Sequence, residues 1–131
     1  MNYIKERDED SHRYWVEFLN NPNGYDINQE WEGIDLDGTL AIWDGFKGYE
    51  HIGEPVPLML KRVLDMIESG ITIKIFTARA GNRKAIPYIK TWLRDHGLPD
   101  LEIINVKDAY CKRIWDDKAI QVEINTGIIV E

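Results

Sequence analysis

A single cysteine, Cys111, in a chain of 131 residues leaves no intramolecular disulfide to hold the fold. It reads as a small packing residue rather than a nucleophile. Histidine is equally scarce: His12, His51 and His96 share no metal-ligand spacing and read as surface or packing residues. Positive charge is in short supply, with 16 Lys and Arg against 23 Asp and Glu and a net charge of −7. That balance excludes a long nucleic-acid footprint as the expected mode of binding, although a single phosphate end needs few contacts. No apolar run approaches the length of a membrane span, and the opening "MNYIKERDEDSHR" lacks the apolar core of a signal peptide. A cytoplasmic protein with no membrane partner is therefore expected. Neither an internal repeat nor a low-complexity segment is present. What remains is a chain 44% apolar, enough for about one domain with one ordinary core.

Along that chain the hydrophobic period alternates. "SHRYWVEFLNN" places Trp15, Phe18 and Leu19 on one helical face, with Asp10 or Ser11 as N-cap. The Asn, Gly and Pro of "NPNGYDINQ" mark a connection. "WEGIDL" reads as a first strand. From Pro55, Met59 or Leu60, Val63, Leu64 and Ile67 recur at helical spacing, and Gly70 closes the helix. "ITIKIF" is a β-branched second strand. A second helix begins near Ala85 or Ile86, because Pro87 would be costly in its interior, and carries Ile86, Ile89, Trp92 and Leu93 on one face. "LEIINV", "YCKRIW" and "AIQVEI" are three further short apolar runs. Strand, helix, strand, helix, strand predicts an α/β fold with a mainly parallel central sheet between layers of helix.

Two aspartates stand where the first strand runs out, in "GIDLDGTLAIWDG". In open α/β sheets ligands bind at the carboxyl ends of the strands, so Asp35 and Asp37 are at the functional edge. The second strand ends in "FTAR", bringing Thr77 and Arg79 to the same edge, and a later run ends in "WDD", bringing Asp116 and Asp117. Four carboxylates at one edge are electrostatically costly without a cation. Mg²⁺ resolves that cost, since it takes carboxylate and phosphate oxygens and keeps several waters. With metal and phosphate in place, one carboxylate can attack phosphorus while another, two residues on, protonates the leaving oxygen and then activates water. A hydroxyl and a lysine would bind the phosphoryl oxygens. Gly38 permits the sharp turn that brings backbone close to the phosphate.

These residues resemble the haloacid dehalogenase superfamily of phosphohydrolases. "DLDGT" at 35–39 fits its first motif, "FTAR" its second and "WDDKA" its acidic fourth. The resemblance implies a Rossmann-like core, Asp35 as nucleophile, Asp37 as acid/base and Thr77 on the phosphate. It also implies Mg²⁺ held by Asp35, the Asp37 carbonyl and the Asp116–Asp117 pair, with Gly38, Thr39, Ala78 and Arg79 on the substrate side. The third motif asks for a lysine, for which Lys107 in "NVKD" is the first choice and Lys112 the alternative. The double aspartate and "TAR" are similar to motifs of the polynucleotide 3′-phosphatases in that superfamily. There, the counterpart of Asp117 would be the direct ligand, and that of Arg79 would touch substrate. The motifs bracket residues 31–118, so the chain divides into an N-terminal helical arm, 1–30, and a core, 31–131. Order and spacing are similar to small members of the superfamily encoded by bacteria and their phages.

Each feature also has a plainer reading. Asp37–Gly38 could be a hairpin turn, Asp116–Asp117 a solvated turn, Arg79 a surface ion-pair partner and Lys107 a solvated lysine. A calcium loop fails, because the glycine follows the second aspartate directly and no glutamate closes the loop. Only "AIWDGFKGYEHIGE" separates Leu40 from Pro55, which is a flap and too short for a cap domain. An uncapped site favours a phosphorylated polymer end, a protein phosphate, or a small phosphorylated molecule closed in by another subunit. Trp43, Phe46 and Tyr49 could stack on a base or pack on the domain. A homo-oligomer stays open, since Trp15, Phe18 and Leu19 could cover their own sheet or a subunit interface. The rival to a phosphatase is a non-catalytic protein that holds a phosphorylated ligand or a metal on the same scaffold.

Overall fold

The computed structural model describes residues 24–131. The expected N-terminal helix, with Trp15, Phe18 and Leu19, lies outside the described residues. Before the sheet unit, which spans Trp31–Glu131, there is a short 3₁₀ turn, Ile27–Gln29, capped by the Asp26 carboxylate.

Four parallel strands make the sheet: β1 Trp31–Ile34, β2 Ile73–Phe76, β3 Glu102–Ile104 and β4 Cys111–Trp115, in spatial order β3-β2-β1-β4. The fold is α/β, as the alternating periods predict. Helix α1, Pro57–Glu68, opens with proline at its N-terminus and closes at Ser69, with Gly70 at φ 91° beyond it. It buries Met59 and Val63 while Leu64 points outward at 37% exposure. Helix α2, Ile86–Asp95, follows a 3₁₀ turn at Arg83–Ala85 and accommodates Pro87 in its first turn. It buries Ile89, Trp92 and Leu93, the stripe expected from the sequence. With Ile34, Leu36, Leu40, Met59, Val63 and Ile75 these residues form the core.

The third of the further apolar runs stands apart from the sheet. "AIQVEI" does not join the sheet but folds back on the chain end through an isolated antiparallel bridge, Val122 with Ile129. Asn125 and Gly127 turn the chain at φ 66° and 78°. Local pairing across this turn satisfies backbone groups near the chain end, with Glu123 N–H donating to the Ile128 carbonyl at 2.7 Å and Val130 N–H to the Gln121 carbonyl at 2.9 Å. The run's apolar side chains stay exposed: Ile120, Val122 and Ile124.

Sheet order decides where a ligand can enter. From β1 the chain winds outward to β2 and β3, then returns to the other side of β1 as β4. The winding therefore reverses between β1 and β4, and the carboxyl ends of two strands that diverge in connection leave a crevice there. No described helix is long and apolar enough to cross a membrane.

Candidate active site

Inter-strand register builds the site. Ile34 is the partner of Trp115, and the Asp35 N–H continues the ladder by donating to the Trp115 carbonyl at 2.9 Å. The next residue on each strand is an aspartate, so Asp35 and Asp116 emerge side by side at the crevice. On the other flank Phe76 pairs with Ile104, and Thr77 N–H donates to the Ile104 carbonyl at 2.9 Å, which sets Thr77 beside Asn105. The ends of all four strands thus line one cleft of about 480 Å³: Asp35, Asp37, Thr77, Ala78, Asn105, Asp116, Asp117 and Lys118, with Trp43 and Phe76 as its aromatic wall.

Carboxylate oxygens of Asp35, Asp116 and Asp117 lie within 4.8 Å of one another. Such a cluster of hard oxygen donors suits a hard divalent cation. Asp35 carries the electrostatic cost of the arrangement. Burial first, then a hydrogen bond with Asp117 and the charge of Asp116, push its carboxyl up to about 7, while its bond from Thr39 works the other way.

Thr39 and Gly38 sit behind these carboxylates. The Thr39 hydroxyl lies 3.2 Å from Asp35 Oδ2 and 3.2 Å from Asp117 Oδ1, and accepts the Asp117 N–H at 3.0 Å. One hydroxyl has one proton to donate, so the two carboxylates share it in turn. Gly38 turns the chain at φ 89°, and a Cβ there would stand 2.7 Å from Asp117 Oδ2. Both residues were expected on the substrate side. The structure sets both against Asp117, Thr39 across 78 residues of chain.

Arg79 also differs from expectation. Thr77 Oγ1 accepts the Arg79 N–H at 3.2 Å and starts a 3₁₀ turn, Ala78–Gly81, that swings the guanidinium into the protein, where its side chain is 6% exposed. It is neither a surface ion-pair partner nor a lining residue of the cleft. Its Nε and Nη2 donate to the two Asp37 oxygens at 2.7 and 3.0 Å, and the remaining N–H groups reach carbonyls of the flap.

Neither of the two lysines expected to meet a phosphate lines the cleft. Lys107 is exposed, lies in the β3–β4 connection and is absent from the cleft. Its charge acts instead on Cys111, at the start of β4 and so at the far end of that strand from Asp116, where it opposes the upward push of burial on the thiol. Lys112 lies within β4 and does not line the cleft either. Lys118 does, directly after the acidic pair. Its backbone N–H donates to Asp116 Oδ1 at 2.7 Å, a local turn that brings the residue back over the cleft. Lys118 and Asn105 are the polar lining residues that sequence reasoning missed. For Asn105 the signal was available, because it follows a strand as Thr77 does.

Of the flap aromatics, Trp43 faces the cleft, whereas Phe46 stacks edge-on against Tyr49, with ring centroids 5.3 Å apart. The flap base is closed by a bridge between Ala41 and Pro55 and by the Trp92 indole donating to the Gly53 carbonyl at 2.8 Å. No family model matches the chain, no curated protein matches it, and no solved structure matches it.

Proposed function

We propose that the protein is a Mg²⁺-dependent phosphomonoester hydrolase working through an aspartyl-phosphate on Asp35, on a Rossmann-like core of the haloacid dehalogenase type. One observation carries the reading: Asp35, Asp116 and Asp117 meet at the point where strand winding reverses, with Thr77, Asn105 and Lys118 around the same cleft. Asp35, Asp116 and Asp117 would hold the ion, together with the Asp37 carbonyl. Bound there, Mg²⁺ would neutralise the clustered carboxylates and polarise the phosphoryl group of the substrate.

In this reading an Asp35 oxygen attacks phosphorus as the bond to the leaving oxygen breaks, and Asp37 gives that oxygen its proton. Water then attacks the aspartyl-phosphate, Asp37 takes up its proton, and Asp35 is regenerated with release of phosphate. Thr77, Asn105 and Lys118 donate to the equatorial oxygens, where charge is spread in a loose transition state. The open cleft suits a nucleotide, a polynucleotide end or another phosphate monoester, with Trp43 beside the leaving group.

The test is phosphate release from an aryl phosphate, nucleoside monophosphates and 3′-phosphorylated oligonucleotides, with Mg²⁺ and with EDTA, beside Asp35→Asn. Metal-dependent release that the variant loses is the expected result; equal release by the variant overturns the mechanism. A second reading, a non-catalytic phosphate-ligand or metal-binding protein, draws on one observation: both Asp37 oxygens are already occupied by Arg79. Tight ligand binding with Mg²⁺ and recovery of the ligand unchanged would favour it.

A further inference from the structure

The Arg79 guanidinium has five N–H donors, and five acceptor contacts surround it. Two are the Asp37 oxygens, at 2.7 and 3.0 Å; the other three are the carbonyls of His51 at 3.0 Å, Tyr49 at 3.4 Å and Gly48 at 3.5 Å. The Phe46 ring lies 5.7 Å from its central carbon. No donor is left for a substrate. Among the described residues, every hydrogen bond that ties residues 44–51 to the rest of the sheet unit comes from this one side chain, since the remaining polar contacts of the segment are internal: Lys47 with Asp44, His51 with Asp44, and His51 N–H with the Gly48 carbonyl.

We infer that Arg79 is a positioning residue that makes the orientation of Asp37 and the position of the 44–51 segment a single unit. The physical reason is burial. A guanidinium out of water must keep its charge paired and its N–H groups satisfied, so losing Asp37 leaves a buried, uncompensated cation that has to move toward solvent. Moving, it gives up the three carbonyls as well. Conversely, a flap that lifts away strips three acceptors from the side chain that clasps Asp37. Asp37 therefore keeps its present orientation only while the flap is seated. The consequence for turnover rests on the phosphatase reading; the coupling itself does not.

Amide hydrogen exchange tests it, read at His51, whose N–H is the one amide of the 44–51 segment that donates a bond among the described residues, in the parent, Asp37→Ala and Arg79→Lys, with kcat and KM for an aryl phosphate measured alongside. Asp37→Ala removes no atom from the flap, yet it is expected to raise exchange of the His51 amide at least fivefold while β2 stays protected. Arg79→Lys, which keeps the charge but not the fork, is expected to do the same and to lower kcat more than it raises KM. Unchanged flap exchange in Asp37→Ala overturns the coupling, even if Arg79→Lys fails to fold. A rise in KM alone for Arg79→Lys overturns the positioning role and makes Arg79 a substrate contact. A parent without phosphatase activity removes the proposed function, and the exchange result still decides the coupling.

Discussion

The Asp35 N–H donates to the Trp115 carbonyl at 2.9 Å, and this one ladder bond sets the carboxylates of Asp35 and Asp116, 81 residues apart in sequence, at the mouth of one cleft. The chemistry of the site depends on how that proximity is relieved.

Metal binding is expected to be pH-dependent. Asp35 must give up its proton to serve as ligand or nucleophile, and its carboxyl sits at about 7. Mg²⁺ or Mn²⁺ affinity measured calorimetrically should be flat above pH 7 and weaken by up to about tenfold per pH unit below it, with proton release on binding. Affinity constant from pH 5 to 8 contradicts the raised Asp35.

Stability of the metal-free protein should follow the same group. The folded state binds the Asp35 proton more tightly than the unfolded chain, whose carboxyl titrates near 3.8. Stability therefore falls as pH rises from about 4 through 7, opposite to the usual behaviour of a paired aspartate. Relative to the parent, Asp35→Asn should gain about 1–2 kcal/mol at pH 8, a figure reduced for the partial solvent exposure of the group, and nothing near pH 4. Denaturant midpoints at the two pH values measure the difference, and saturating Mg²⁺ should erase it by stabilising the parent.

Thr39 holds Asp117 in place by its hydroxyl, so Thr39→Val should cost about 1 kcal/mol of stability and weaken metal binding by about tenfold or more, while Thr39→Ser keeps both. Equal metal affinity in the valine variant would show that the tether does not set ligand geometry.

Lys118 and Lys107 should separate cleanly. In the proposed reaction Lys118→Ala is expected to raise KM for an aryl phosphate by about tenfold, because its charge, at the cleft wall, would meet the phosphoryl oxygens. Lys107→Ala should leave it within about twofold. The reverse ranking would give the phosphate-binding role to Lys107.

Much of this was legible in the chain because it is local. Apolar residues at helical spacing in 57–68 and 86–95, a β-branched run before "FTAR" and short strand-like runs before "DLDGT" and "WDD" specify element type, and polar residues that end a strand are delivered to its carboxyl edge whatever the neighbours. That is why Asp35, Thr77 and Asp116 share a cleft as expected. The apolar run 119–124 shows the limit of that locality, since alternation reports the element and not its partner, and here Val122 bridges to Ile129 rather than to the sheet.

The sequence by itself determined the α/β alternation, the two helices and their buried stripes, and the set of acidic residues offered to one sheet edge. Only the tertiary structure decided that Ile34 lies beside Trp115, that Thr39 and Gly38 serve Asp117, that Lys118 rather than Lys107 lines the cleft, and that Arg79 turns inward to Asp37 and the flap. Periodicity is a property of neighbours a few residues apart. Which donor meets which acceptor across 28 to 83 residues depends on strand register and on where water is excluded, and neither is written in any local pattern.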